Sequence, residues 1–273
     1  MDISTIAFSA LTISGMGLLL GTGLGYAAVK FKVEADERLQ LIRDILPGAN
    51  CGGCGYPGCD AYAEAVVSGS APLTACSVGG AAVVAGISEI MGVEAVAVTK
   101  QVAFVKCNGN NTNALFKYDY SGLNDCQAAM QLAGGGSKAC IYGCLGCGSC
   151  YNVCRFEAIE FVDGIVKINR EKCTACKQCV GACPKSLITL VPYDNYVNVT
   201  CNSRDAGKIV RGNCKVGCIS CKMCEKACKF DAVHVENNCA IIDYDKCTMC
   251  DECVKKCPTS AIVSKTFVKE TKA

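Results

Sequence analysis

No tryptophan occurs among the 273 residues, aromatic residues make up only 7%, and histidine occurs once. A chain so poor in large rings has little aromatic core to draw on and needs another source of cohesion. The single histidine, His234, falls in a stretch of alternating apolar residues. It reads as an exposed strand position, not a ligand, and no catalytic triad can be assembled. No G-x-G-x-x-G follows a predicted strand and there is no P-loop, so the chain carries no nicotinamide or ATP site of its own. Gly134-Gly135-Gly136 is a loop outside any phosphate-binding context. The basic residues are scattered and form no stripe, which argues against nucleic acid as a partner. Charge is also missing from Ile3 to Val29. That run is long enough to span a bilayer as a helix. Asp2 precedes it, whereas a secretory signal would carry positive charge there.

What the chain has in abundance is cysteine, 26 residues in all. Sixteen of them form four copies of one word, C-x2-C-x2-C-x3-C. The copies are Cys144, Cys147, Cys150, Cys154; Cys173, Cys176, Cys179, Cys183; Cys218, Cys221, Cys224, Cys228; and Cys247, Cys250, Cys253, Cys257. This is the ligand spacing of bacterial two-cluster ferredoxins, in which three thiolates wrap one [4Fe-4S] cubane and the fourth serves its neighbour. The words therefore pair. One cubane takes Cys144, Cys147, Cys150 and Cys183, and its neighbour takes Cys173, Cys176, Cys179 and Cys154. The second pair assigns Cys218, Cys221, Cys224 and Cys257 to one cubane, and Cys247, Cys250, Cys253 and Cys228 to the other. Pro184 and Pro258 close the second word of each pair, whereas Arg155 and Lys229 replace proline after the first. Structural zinc normally uses one isolated quartet, so four even repeats fit it poorly. Disulfides suit neither the spacing nor a chain without a cleavable signal.

A fifth quartet lies upstream. Cys51, Cys54, Cys59 and Cys76 read C-x2-C-x4-C-x16-C, with Gly52, Gly53 and Gly55 letting the backbone fold close around metal. A helix over 61–67 returns the chain toward Cys76. One cubane fits here, with zinc as the rival for an isolated quartet. Five cubanes are thus expected, and they would also cross-link a fold that has few large side chains. The formal charge of +2 would fall to about −8 with five oxidised cubanes bound, at roughly −2 each. Lys172, Lys177, Lys222, Lys226, Lys246, Lys255 and Lys256 sit among the ligands and offset part of that.

Six cysteines are left over: Cys107, Cys126, Cys140, Cys201, Cys214 and Cys239. A weak repeat organises four of them. Phe104-Val105-Lys106-Cys107 resembles Val197-Asn198-Val199-Thr200-Cys201, and Cys140 and Cys214 each stand four residues before a ferredoxin word. Cys107, Cys126, Cys140 and one of Cys201 or Cys214 could hold a sixth cubane, or all could be buried free thiols. Cys239 reads as a core thiol.

The expected fold is α+β: one N-terminal transmembrane helix, a small single-cluster Fe–S domain and two bacterial-type two-cluster ferredoxin domains. The expected divisions are anchor 1–32, single-cluster domain 33–80, middle region 81–139, first ferredoxin pair 140–192, linker 193–213, second pair 214–265 and tail 266–273. A short amphipathic helix is expected over 33–46, then a helix through Met91 and a strand over 95–105. Lys30, Lys32 and Arg38 follow the apolar run. By the positive-inside rule the N-terminus lies outside and the cluster domains are cytoplasmic. Gly17, Gly21 and Gly25 share one face, which lets another transmembrane helix approach closely.

The order of parts resembles the B component of the Rnf complex, the membrane-anchored polyferredoxin of ion-translocating ferredoxin:NAD oxidoreductases. The resemblance rests on the N-terminal span, on LPGANCGGCGYPGCDAYAEAV with Cys76-Ser77-Val78-Gly79-Gly80, on CNGNN and KYDYSGLNDCQAA in the middle block, and on the ferredoxin words. It covers essentially the whole chain. It implies a cell-membrane subunit that accepts electrons from soluble ferredoxin and passes them to membrane partners carrying flavins, with another peripheral subunit reducing NAD. In several relatives, the resemblance also implies, the first word is less complete, and Cys147 is the least portable of the sixteen ligands. A stand-alone membrane-tethered carrier and a metal-storage protein are the other classes compatible with so many thiols.

Overall fold

The computed structural model describes residues 3–31, 36–95 and 97–265. The expected tail 266–273, and Lys32 to Ala35 at the start of the short amphipathic helix, lie outside them. The chain is a mixture of short helices and two-stranded sheets behind one long helix.

Helix α1 runs Ile3–Lys30. At 1.5 Å per residue its 28 residues reach about 42 Å. Among the described residues it is the one helix long and apolar enough to cross a membrane, and none of its apolar window is buried against the rest of the chain. Thr22 Oγ1 donates to Leu18 O at 2.7 Å, and Thr12 Oγ1 donates to Phe8 O at 3.1 Å. Both hydroxyls are satisfied within the helix, as a lipid environment requires.

Three helices follow: α2 (Glu37–Ile45), α3 (Cys59–Val67) and α4 (Gly80–Met91). Pro47 forces Leu46 into an extended conformation and stops α2 there. The apolar positions of the three helices form one core around Ile42, Tyr62, Val66 and Ile87, all essentially buried. Gly92, at φ 66°, ends α4 in a left-handed cap. Helix α4 falls in the expected middle region, but Val83 and Ile87 fasten it to the first domain, whose core extends past residue 80.

The remainder is built twice. In the first unit β1 (Gln101–Val105) precedes α5 (Cys126–Met130), α6 (Ser149–Asn152), the hairpin β2 (Ile159–Val162) and β3 (Ile165–Ile168), α7 (Gln178–Ala182) and β4 (Ile188–Pro192). Strand β4 pairs antiparallel with β1, with Gln101 opposite Pro192 and Val105 opposite Ile188. In the second unit β5 (Asn198–Val199) precedes α8 (Gly207–Asn213), α9 (Met223–Ala227), the hairpin β6 (Val233–Glu236) and β7 (Cys239–Ile242), α10 (Glu252–Lys256) and β8 (Ile262–Val263). Strand β8 pairs antiparallel with β5. Each unit thus clasps its ferredoxin pair between an entering and a leaving strand. Residues 193–213, expected as a linker, contribute β5 and α8 to this arrangement.

Two-residue turns close both hairpins. Asp163-Gly164 and Asn237-Asn238 all have positive φ, the geometry of a type I′ turn. Of the 95–105 stretch expected as a strand, Val96 lies outside the described residues, and among those described only Gln101–Val105 find a partner strand. His234 lies in β6, half-buried, with Nε2 3.1 Å from Asp231 O.

Candidate metal centres

Each ferredoxin word has the same backbone path. The residues immediately before and after the second cysteine are left-handed: Gly146 and Gly148, Ala175 and Lys177, Ser220 and Lys222, Met249 and Asp251. A third left-handed residue stands three positions after the fourth cysteine, at Glu157, Ser186, Asp231 and Ser260. A non-glycine residue there costs roughly 1–2 kcal/mol, and such strain persists only where the surroundings over-determine it. Alternating handedness turns successive N–H groups inward, making the anion-binding concavity typical of phosphate and Fe–S sites. The exit turn adds an N–H···S bond in three words. Leu187 N donates to Cys183 Sγ at 3.4 Å, Ala232 N to Cys228 Sγ at 3.3 Å and Ala261 N to Cys257 Sγ at 3.3 Å.

In the upstream quartet, Cys51, Cys54, Cys59 and Cys76 line one cavity with Leu46, Tyr62 and Val78. Asn50 Oδ1 accepts from Cys59 N at 2.8 Å and ties the loop to the start of α3. This loop sits directly on the second word. Gln178 Nε2 donates to Cys51 O, and Ser77 Oγ donates to Ala175 O at 3.2 Å. Arg155, in the place of the missing proline, donates to Ala49 O and Asn50 O.

In the first pair, Cys144, Cys150 and Cys183 share a cavity. The fourth thiol lining it is Cys126, not the expected Cys147. Cys126 opens α5 and is held by a latch to α6: its N–H donates to Ser149 Oγ at 2.7 Å, and Ser149 Oγ donates to Asp125 Oδ1 at 2.7 Å. Asp125 also caps α5 through Ala128 N. Cys147 lies beside Cys126 and turns its thiol toward Leu145 O. Sequence reasoning groups Cys126 with Cys107 and Cys140; the structure separates them. The available signal is that Cys126 has no counterpart in the second unit.

The neighbouring set is Cys173, Cys176, Cys179 and Cys154. Burial, then the proximity of Cys173, Cys176 and Cys154, pushes the Cys179 thiol up to about 12. In the second pair, Cys218, Cys221, Cys224 and Cys257 line one cavity. Cys253 is pushed up to about 12 by burial and then by Cys247 and other thiols, and Cys228 and Cys247 pack against the same core as Cys253. Cys221 and Cys250 are exposed at the surface. Burial thus favours the neutral thiol at Cys179 and Cys253, so a bound metal must displace their protons.

Of the remaining cysteines, Cys107, Cys140, Cys201 and Cys214 line a cavity between the two units. Cys239 is a buried core thiol at the start of β7, and it donates to Cys201 O at 3.2 Å. Among the described residues, no three His, Cys, Asp or Glu side chains are gathered closely enough to share one metal ion. Quartets spread around a common space suit a cubane better than tetrahedral zinc.

Four family models match parts of the chain. The FeS model, for an Fe-S cluster, matches residues 46–78, and the 4Fe-4S dicluster domain model matches 143–195. Two 4Fe-4S binding domain models match 217–231 and 240–263. Among curated proteins, the chain is 55% identical over 247 residues to the B component of the Na(+)-translocating ferredoxin:NAD(+) oxidoreductase complex of Acetobacterium woodii, covering 90% of this chain and 74% of that one. It is 41% identical over 260 residues to the B component of the ion-translocating oxidoreductase complex of Methanosarcina acetivorans, covering 95% and 98%. It is 42% identical over 264 residues to the B component of the proton-translocating ferredoxin:NAD(+) oxidoreductase complex of Clostridium ljungdahlii, covering 95% and 93%.

Proposed function

This chain belongs to the B-component family of ion-translocating ferredoxin:NAD(+) oxidoreductase complexes, known as Rnf complexes, and from that premise we propose how its residues serve electron transfer there. The observation that supports the reading best is the backbone path common to the four words, with left-handed residues on both sides of each second cysteine. [4Fe-4S] cubanes supply one-electron chemistry at low potential. The chain holds them, spaces them and sets their surroundings.

Five centres are assigned. Cys51, Cys54, Cys59 and Cys76 hold the one nearest the membrane helix in sequence. Cys173, Cys176, Cys179 and Cys154 hold the next, which the first loop touches. Cys144, Cys150 and Cys183 hold the third with Cys126, and Cys147 stands beside them. Cys218, Cys221, Cys224 and Cys257, and Cys247, Cys250, Cys253 and Cys228, hold the last two. The N–H···S bonds from Leu187, Ala232 and Ala261 favour negative charge on those sulfurs and so raise the potentials there.

The exposed Cys221 and Cys250, among Lys222, Lys226, Lys246, Lys255 and Lys256, mark the entry for electrons from an acidic soluble ferredoxin. The first loop, 20 residues past the end of α1, marks the exit toward membrane partners. Lys30 at the end of α1 and Arg38 beyond it support a cytoplasmic side for the cluster domains. Gly17, Gly21 and Gly25 have no atom within 4 Å of a built β-carbon, which leaves that face free for a helix of another subunit. Energetically, two electrons falling roughly 100 mV release about 4.6 kcal/mol. Moving one charge against roughly 100 mV takes about 2.3 kcal/mol, so one or two ions per electron pair can be driven.

The direct test is the spectrum and metal content of the anaerobically purified chain. We expect a broad brown absorption that bleaches with dithionite, and at least about twenty irons with equal sulfide from five cubanes. A colourless, zinc-loaded protein would end this reading.

A further inference from the structure

We propose that Cys107, Cys140, Cys201 and Cys214 bind a sixth [4Fe-4S] cubane, which joins the two ferredoxin pairs into one relay. The inference rests on the reading that the words hold cubanes. The four thiols line one cavity at the junction of the two units. Duplication accounts for the set. Each unit supplies one cysteine two residues past its entering strand, Cys107 after β1 and Cys201 after β5, and one cysteine four residues before its first word. The two units then meet along this line. Asn108 N donates to Thr200 O at 3.1 Å, Leu115 N to Asn213 O at 2.9 Å and Lys215 N to Asn113 O at 2.8 Å, and Ala114 forms an isolated bridge with Cys214.

The charge of the site is the second observation. Lys138 lines the same cavity and is only 3% exposed. Its Nζ donates to Gly109 O at 2.6 Å, and among the described residues no carboxylate pairs with it. A buried ammonium without a counter-ion is costly. A cubane with four thiolates carries roughly −2 in its oxidised form, so the lysine and the cluster neutralise part of each other. Four core thiols would give the lysine no such partner.

Position gives the site its role. Cys107 Sγ accepts from Cys144 N at 3.4 Å, one side of the junction reaching a ligand of the first pair. On the other side, Cys239 bonds to Cys201 O and shares a core with Cys201 and Cys218, a ligand of the second pair. A cubane here stands between the two pairs and shortens the path between them.

The test is iron and acid-labile sulfide per full-length chain, with zinc measured in the same samples. Wild type should hold about 24 irons and the Cys140→Ser/Cys214→Ser variant about twenty, with one paramagnetic signal lost from the dithionite-reduced protein. Because that variant could misfold, Lys138→Met is measured beside it. It keeps all four thiols, so its iron count should match wild type while one reduction step moves to lower potential. About twenty irons in wild type, or one zinc beside twenty irons, would overturn the sixth cubane and leave the five-centre reading standing. A Lys138→Met variant that holds only about twenty irons beside a wild type of about twenty, with every potential unshifted, would overturn it as well. A wild-type chain without cubane iron would instead overturn the reading on which it rests.

Discussion

A β-carbon on Gly53 would stand 2.7 Å from the carbonyl oxygen of Cys176. The first metal loop and the second ferredoxin word therefore touch backbone to backbone, and only glycine permits that approach. Gly53→Ala should push the two loops apart and lower stability by about 1–3 kcal/mol, the usual cost of overpacking. The iron count should hold while electron exchange between the first centre and its neighbour slows. Gly181→Ala is the control: its β-carbon meets nothing within 4 Å, in helix α7, so it should leave stability unchanged or raise it by up to about 1 kcal/mol. Chemical unfolding under nitrogen and flash-reduction kinetics read both variants.

Cys126→Ala should remove one cubane or leave it oxygen-labile, whereas Cys147→Ala should leave the iron count unchanged. The reason is that Cys126 lines the cavity of Cys144, Cys150 and Cys183 and Cys147 does not. Asp125→Ala should weaken the same centre by releasing the latch to Ser149, and Asp125→Asn, which can still accept that bond, should restore most of the loss. Iron per chain decides; full loss with Cys147→Ala and none with Cys126→Ala would reverse the assignment.

Raising pH should affect the metal-free protein and its reconstitution in opposite directions. Burial first, and neighbouring thiols second, lift Cys150, Cys179 and Cys253 each to about 12, above the ordinary thiol value of about 8.5. Groups raised by folding favour the folded state below the unfolded value and lose that contribution as pH climbs through the folded one. The metal-free chain should thus lose stability from about pH 9 upward. Cubane assembly consumes thiolates and releases protons, so iron uptake from iron and sulfide should strengthen between about pH 7 and pH 9. Circular dichroism of the metal-free chain above about pH 9, and iron uptake between about pH 7 and pH 9, check the two slopes.

Stripping the iron with a chelator should unfold the two ferredoxin units and spare α1. The core of the second pair consists in large part of Cys201, Cys218, Cys224, Cys239, Cys253 and Cys257 among small aliphatic residues. Without metal bonds, so little apolar surface holds these short helices and two-stranded sheets together weakly. Far-ultraviolet circular dichroism in detergent should retain a helical signal from α1 while the hairpin contribution disappears.

The four cysteine words are legible in the sequence because their spacing repeats, and the end of α4 at Met91 can be read there too. The left-handed positions are not. Ala175, Lys177, Ser220, Lys222, Met249 and Asp251 carry nothing in their side chains that announces φ above zero; the loop around the thiols imposes it. The repeat points to Cys107 with Cys201 and to Cys140 with Cys214. Only packing shows that both couples meet, and that Cys126 faces elsewhere. The pairing of β1 with β4 joins residue 101 to residue 192, and no local pattern encodes a contact at that range. Helix α4 belongs to the first domain for a similar reason: Ile87 fits against Ile42 and Tyr62, a contact that periodicity alone does not assign.

The most direct test of the relay is ferredoxin-driven NAD reduction in the native membrane complex carrying Cys54→Ala. That substitution takes one thiol from the first quartet and leaves α1 untouched. The account predicts normal membrane insertion, an iron count lower by about four, and NAD reduction abolished while the remaining centres still accept electrons from ferredoxin. Reduction of NAD at the wild-type rate by that complex would place the first centre off the path and contradict the account.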